Sequence, residues 1–200
     1  MLVQSGAGQV LMAVPKVVPE DEEFSVRVFP ASVKMQCSEN LYYTQVHKHT
    51  GQMAGFQIDC STLEATKIWD INFSASNGKD DLKNNHIIEE VITQNGFSSH
   101  ILPTIFGEEG VLLYKFFDAN FFAVMVSNAD KPSQVSFHVV NSVSGHIVHQ
   151  FTEQNVQRSN KSKVTAILSE NVLAVSFQRQ NVATGLSQQE LTVTEFYKQK

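Results

Sequence analysis

Histidine offers the most chemistry in this chain: there are seven, and two pairs lie close enough in sequence to share an ion. His47 with His49, and His146 with His149, each present two imidazoles, and on a strand His47 and His49 would fall on the same side. Neither pair has a Cys or carboxylate nearby at ligand spacing, and no His-Glu-x-x-His helix occurs, so both read as structural or surface residues and no metal is expected. Glu108 and Glu109, between Gly107 and Gly110, could act as general acid and base. Adjacent carboxylates in a glycine-flanked turn are the ordinary makeup of a solvated loop. Gly6-Ala7-Gly8 lacks the third glycine and the helix of a nucleotide-binding loop. No Gly-x-Ser-x-Gly elbow is present and no Cys sits in a nucleophile setting. The chain is therefore expected to be neither an enzyme nor a cofactor carrier.

Trp69 could be a stacking platform for a ligand, but alternation with Ile71 and Phe73 reads more simply as a core position. Cys37 and Cys60 are compatible with a disulfide or with free thiols. Two Asn-x-Ser sequons, at Asn72 and Asn160, are candidate glycan acceptors; Asn72 falls inside an expected strand, and Asn160, in a polar loop, is the more credible of the two.

Positioning any of these residues falls to strands. Short apolar stretches rich in Val, Ile, Phe and Tyr are separated by Ser, Asn, Asp and Gly along most of the chain. Phe24–Val28 alternates and is closed by Pro30. Leu41–Val46 and Met53–Ile58 flank a Gly-containing loop, a hairpin pattern. Val111–Phe117, Phe121–Val126, Val135–Val140, His146–Phe151, Val164–Leu168, Val172–Phe177 and Leu191–Tyr197 continue the series, and Phe121–Val126, apolar on both faces, is expected to be covered on two sides. Leu82–Gln94 fits either a short helix or a strand with a polar lead-in. About ten to twelve strands result, the spacing of sandwiches, barrels and propellers. A weak internal repeat, strand–turn–strand over Phe56–Phe73 and again over Phe137–Phe151, favours a propeller, and Ser144-Gly145-His146-Ile147-Val148 resembles the outer-hairpin turn of quinoprotein-like blades.

With 42% hydrophobic and 18% charged residues, the chain has the composition of a folded domain, and its 14 Phe supply an aromatic core. The net charge of −5, with no Lys/Arg-rich run, argues against nucleic acid as a partner. Val10–Val14 reads as a strand, since a basic lead is missing and Pro15 ends it. No apolar run approaches the ~20 residues that span a bilayer.

Several stretches in order resemble subunit 1 of the ER membrane protein complex, in the C-terminal part of its luminal propeller region. Phe24–Pro30 is similar to that family's short strand ending in Phe-Pro, and Trp69 stands where the family has Ser-Trp-Glu. Gly107 to Asn120 is similar to its Gly-Asp-x-x-Val-Leu-Tyr-Lys-x-Leu-Asn-Pro-Asn signature, through Gly107, Val111, Leu112, Tyr114, Lys115 and Asn120, with Leu113 as an extra residue. Val143–His149 resembles its Thr-Gly-Arg-Ile-Ile-His step, through Ser144 and Gly145; Ser169–Val172 and Glu190–Tyr197 resemble the steps that follow. Ser98–Pro103 stands in place of the family's His-Ser-Gln-Gly segment.

The resemblance implies an all-β fold: a partial β-propeller of quinoprotein-like type, with about two to three blades of four-stranded antiparallel sheet. Residues 1–200 would form a single segment of it, with a polar insertion around 74–100. It implies a non-catalytic scaffold within a subunit of the ER membrane protein complex, which supports insertion and folding of transmembrane proteins. The partners would be the other subunits, the location the luminal side of the endoplasmic reticulum membrane, and membrane association would come through the complex. The chain is expected to be a fragment of a larger propeller, whose exposed strand edges favour association. A quinoprotein-like enzyme and a self-contained β-sandwich binding domain are the alternatives.

Overall fold

A computed structural model of the chain describes residues 2–4, 10–15, 24–29, 41–59, 61–62, 64–74, 86–94, 104–106, 112–116, 118–158 and 163–199. Among these, regular structure is strand apart from one 3₁₀ turn at Lys48–Thr50, and the strands form five antiparallel sheets. The chain divides into two compact units, Met1–Val46 with Met53–Ile71, and His47–Gln52 with Asn72–Lys200.

The first unit holds β1 (Leu2–Gln4), β2 (Val10–Pro15) and β3 (Phe24–Phe29) in one meander. A second meander is made by β4 (Leu41–His47), β5 (Gln52–Ile58) and β6 (Ala65–Asn72). Central in its sheet, β5 buries Met53, Ala54, Gly55 and Phe56 in succession, because a middle strand with both faces covered has no side for polar residues. The ring of Trp69, on β6, lies against the bare backbone of Gly55: a Cβ there would stand 2.0 Å from Trp69 Cε2. Trp69 is accordingly a buried core residue, as its alternation with Ile71 and Phe73 suggested.

In the second unit, β7 (His86–Thr93), β10 (Phe121–Asn128), β11 (Lys131–Asn141) and β12 (Ile147–Glu153) form a four-stranded sheet in the order β12-β11-β10-β7. Of the stretch that fitted either helix or strand, His86–Thr93 is the strand β7, and residues 82–85 lie outside the described residues. Held between β11 and β7, β10 is buried from Phe121 through Ser127, the two-sided cover expected for it. Pro132 sits in the register slip between the Ser127↔Val135 and Asn128↔Lys131 pairs, where β10 asks no ladder hydrogen bond of it. A second meander follows from β13 (Thr165–Ser169), β14 (Val172–Gln180) and β15 (Ser187–Glu195).

The two sheets repeat. Asn120-Phe121-Phe122-Ala123-Val124 opens the central strand β10, and Asn171-Val172-Leu173-Ala174-Val175 opens the central strand β14. This alignment pairs β7 with β13 and β11 with β15. One core joins them: Phe121, Ala123 and Met125 of β10 with Val135, Phe137 and Val139 of β11 meet Leu173, Val175 and Phe177 of β14. Since Leu173 corresponds to Phe122 and not to Phe121, each sheet turns its opposite face to its neighbour, the stacking of successive propeller blades. Each large side chain so buried contributes about 1.5–3 kcal/mol.

The run Leu191–Tyr197 does not form one strand. It splits at Phe196 into β15 and β16 (Tyr197–Gln199), and β16 joins β9 (Leu112–Lys115) and β8 (Thr104–Phe106) in a separate sheet ordered β16-β9-β8. Sixteen strands are found among the described residues, more than the expected ten to twelve, because short strands such as β8 and β16 carry too few residues for a visible period.

Replacing Gly55 by Ala should push the Trp69 ring off β5 and destabilise the first unit by about 1–3 kcal/mol. Trp69 is the sole tryptophan, so its fluorescence reports the change directly: a red-shifted emission and a lower urea midpoint are expected, and an unchanged spectrum would show that the packing tolerates the methyl group.

Candidate functional site

The residues of the Gly107–Asn120 and Ser144-Gly145 motifs belong, where described, to the corner at which β10 and β14 begin. Lys115 and Tyr114 lie on β9, opposite Tyr197 and Lys198 of β16, and Leu112 is exposed at the strand's start. Lys115 Nζ stands 3.9 Å from the Glu170 carboxylate. Asp118 Oδ1 accepts the backbone N–H and the side-chain amide of Asn120, each at 2.9 Å, and its Oδ2 accepts Asn141 Nδ2 at 2.9 Å. Gln94, just past β7, donates its amide to Asp118 O at 3.2 Å and to Glu170 O at 3.1 Å, tying the two sheets. Asn171 is fully buried: its Nδ2 donates to Phe196 O at 3.0 Å and its own carbonyl accepts Phe196 N–H at 2.8 Å. Phe196 O also accepts Phe116 N–H at 2.8 Å, and this shared carbonyl swings the chain from β15 across to β9. Glu170 is held at φ 51°, a left-handed conformation that a non-glycine residue adopts at a cost of about 1–2 kcal/mol. These hydrogen bonds, each worth about 1 kcal/mol net, hold it there.

Ser144 and Gly145 close the β11–β12 hairpin. Asn141 Oδ1 accepts the N–H groups of Val143 and Ser144, both at 3.0 Å, the Ser144 hydroxyl accepts His146 N–H at 3.3 Å, and Gly145 takes φ 69°. The β14–β15 hairpin repeats this: Asn181 accepts from Ala183 at 2.9 Å and Thr184 at 3.1 Å, with Gly185 also at φ 69°. In the first unit, Asp59 accepts from Ser61 at 2.7 Å and Thr62 at 3.3 Å. The Ser61 hydroxyl, which also donates to this carboxylate at 2.6 Å, and after it the Ser61 and Thr62 N–H groups hold the Asp59 carboxyl below its usual pKa. The sequence signal for the recurrence is Asn-x-x-Ser/Thr-Gly, at Asn141 and again at Asn181.

At the far end of the same pair of sheets, Arg179 is a residue that sequence reasoning missed. Its Nε donates to Glu190 at 2.8 Å, one terminal nitrogen to Glu153 at 2.6 Å and the other to Gln154 O at 2.7 Å, while its guanidinium lies 5.2 Å from the Phe177 ring centroid. Thr192 completes the cluster by donating to Glu153 at 2.9 Å. Glu190, and after it Glu153, hold the guanidinium pKa above its ordinary value against partial burial. Alongside, Val156 pairs with Arg179, so residues 155–157 take the place beside β14 that β13 has vacated.

A partly buried histidine sits on the opposite face of the four-stranded sheet. His138 packs 4.7 Å from the Phe73 ring, its Nδ1 has no hydrogen-bond partner among the described residues, and burial holds its pKa down at about 4, with Gln150 opposing and His86 adding to the shift. The paired histidines of the metal reading lie in different local structures. His47 ends β4 while His49 lies in the 3₁₀ turn, and His146 is in a turn while His149, on β12, packs against the rings of Phe151 and Phe196. No cluster of three metal-ligating side chains is found among the described residues. An open groove of about 520 Å3 is lined by Lys48, Glu89, Glu90, Arg158 and Lys163 among others, and Arg158 ion-pairs with Glu89 there. Asn72, exposed, ends β6, with its Oδ1 accepting Ser74 N–H at 2.9 Å. Asn160, Cys37, Cys60, Gly107, Val111 and the Glu108-Glu109 pair lie outside the described residues.

Repeated antiparallel sheets, stacked front to back and latched by side chains from one sheet to the next, define a β-propeller protein. The chain belongs to the family described as ER membrane protein complex subunit 1, second beta-propeller, whose pattern it matches over residues 1–200. No curated protein matches it.

Two variants test the latches. Arg179→Met should lower stability by about 1–2 kcal/mol, and its effect should be non-additive with Glu153→Gln in a double-mutant cycle of urea midpoints. For His138, the folded pKa lies below the unfolded value of about 6.5, so the unfolded chain takes up the proton first and stability falls as pH drops through that window. A loss of about 2 kcal/mol is expected between about pH 7.5 and 5. His138→Gln should flatten that part of the profile, and a slope that survives the substitution would assign it to another group.

Proposed function

We propose that this chain is a non-catalytic scaffold and binding segment within a subunit of the ER membrane protein complex, on the luminal side of the membrane, where it supports insertion and folding of transmembrane proteins. Residues 1–200 belong in this reading to one partial propeller. Membership in the second-propeller family carries the proposal. The geometry agrees with it: Lys115, Asn120, Ser144 and Gly145 go into turns and sheet-to-sheet contacts, which build a rigid platform whose edges and loops meet partners. In this location the Asn-x-Ser sequons at Asn72, exposed at the end of β6, and at Asn160 are candidate glycan acceptors.

The test is affinity purification of the tagged chain from its own cells in mild detergent, with mass spectrometry of what accompanies it. Recovery of the other subunits of the complex is expected. A clean chain, monodisperse and without membrane partners, would overturn the scaffold reading in favour of an independent β-domain.

A further inference from the structure

We infer that the charged groove beside β7 is a binding site for an acidic peptide segment. Its lining lies within the second unit: Glu89 and Glu90 come from β7, Lys48 from the 3₁₀ turn, and Arg158 and Lys163 from the path between β12 and β13. The register of β7 on β10 slips at this point, from Met125↔Glu90 to Val126↔Ile88, so Glu89 is an extra residue in the strand. Such bulges re-aim side chains, and here two consecutive residues that plain alternation would send to opposite faces both line the groove.

The charges in the groove do not cancel. Three cations face two carboxylates among the described residues, in a chain whose net charge is −5. Arg158 ion-pairs with Glu89, each side chain 28% exposed, and Lys48 Nζ donates to Glu89 O at 3.4 Å. Lys48 and Lys163 are thus left without a carboxylate, and Glu90 without a cation, among the described residues. Glu89 also fixes the orientation of the Arg158 guanidinium, whose remaining N–H groups stay available to a second acceptor.

This mixture selects the ligand. Side-chain carboxylates answer Lys48, Lys163 and the open side of Arg158, a backbone N–H answers Glu90, and aliphatic groups rest on Met125 and Val164. A peptide of acidic and apolar residues brings all three. A free inorganic anion would use the cations alone and meet Glu90 with like charge. An anionic bilayer is met by basic residues that stand at the surface, whereas these cations sit in a groove edged by carboxylates. The volume of about 520 Å3 falls within the roughly 300–1,000 Å3 of ligand sites and admits a short stretch of extended chain.

The inference rests on the charges of the groove and not on the proposed membership of an assembled complex. The test is fluorescence anisotropy, at low salt, of the tagged chain purified from its own cells with short rhodamine-labelled peptides of alternating Glu and Val, Gln and Val, or Lys and Val. The Glu-Val peptide is expected to bind at least about tenfold more tightly than the Gln-Val peptide, and the Lys-Val peptide not to bind. Lys48→Glu and Lys163→Glu, both at exposed positions, should each weaken Glu-Val binding about tenfold with an unchanged urea midpoint. Equal affinity for the Glu-Val and Gln-Val peptides, or indifference to both substitutions, would overturn the inference. So would lysine-dependent binding of inorganic phosphate or of phosphatidylserine vesicles in place of the Glu-Val peptide, which would make the groove a site for a free anion or a membrane surface. Peptide binding without co-purifying subunits would support the groove and sink the complex reading; subunits recovered without peptide binding would sink the groove alone.

Discussion

The contact of the β10-β11 face with the β14 face is the constraint from which the rest of the second unit follows. Phe137 and Phe177, 1% exposed each, cannot leave water unless both sheets stand face to face, and a strand as apolar as β10 cannot be stable unless both its sides are covered. That packing sets the distance between the two sheets. The polar side chains at either end then work at fixed separations: Gln94 reaches two carbonyls at one corner, and Arg179 reaches two carboxylates at the other.

Polar groups at these ends are partly enclosed, and their value depends on being satisfied. Arg179 spends donors on two carboxylates and a backbone carbonyl, which is the geometry in which a guanidinium stabilises and does not merely sit at the surface. Asn171 shows the reverse side of burial. Its amide holds Phe196 O, while its Oδ1, like Gln94 Oε1, is buried without a partner among the described residues. The corner therefore combines firm latches with unmet acceptors, and the strained Glu170 turn persists because its neighbours leave it no alternative.

Much of this was legible in the residues. Period-two alternation marked most strands, the unbroken apolar run at Phe121–Val126 marked a strand with two covered faces, and Trp69 among alternating residues marked a core position. The hairpin turns were legible too, since Asn-x-x-Ser/Thr-Gly specifies a loop in which a side-chain oxygen caps two amides and a glycine reverses the chain. The motif likeness also pointed to the right family, and of its residues Lys115, Asn120, Ser144 and Gly145 lie in turns and sheet-to-sheet contacts.

What the sequence determined, then, is local: which segments are strands, where they turn and which faces are apolar, because these follow from backbone preference and side-chain period over a few residues. The pairing of distant segments, by contrast, comes only with the folded state. Nothing in Leu191–Tyr197 says that it breaks at Phe196, because the break is made by Asn171, in the turn between β13 and β14, and by Phe116, just past β9. Nothing around Arg179 points to Glu153 or Glu190, because those partners meet only when register and stacking bring three strands together. Hydrogen bonds and ion pairs between distant residues depend on ångström-scale placement, and that placement exists only once the apolar faces have closed.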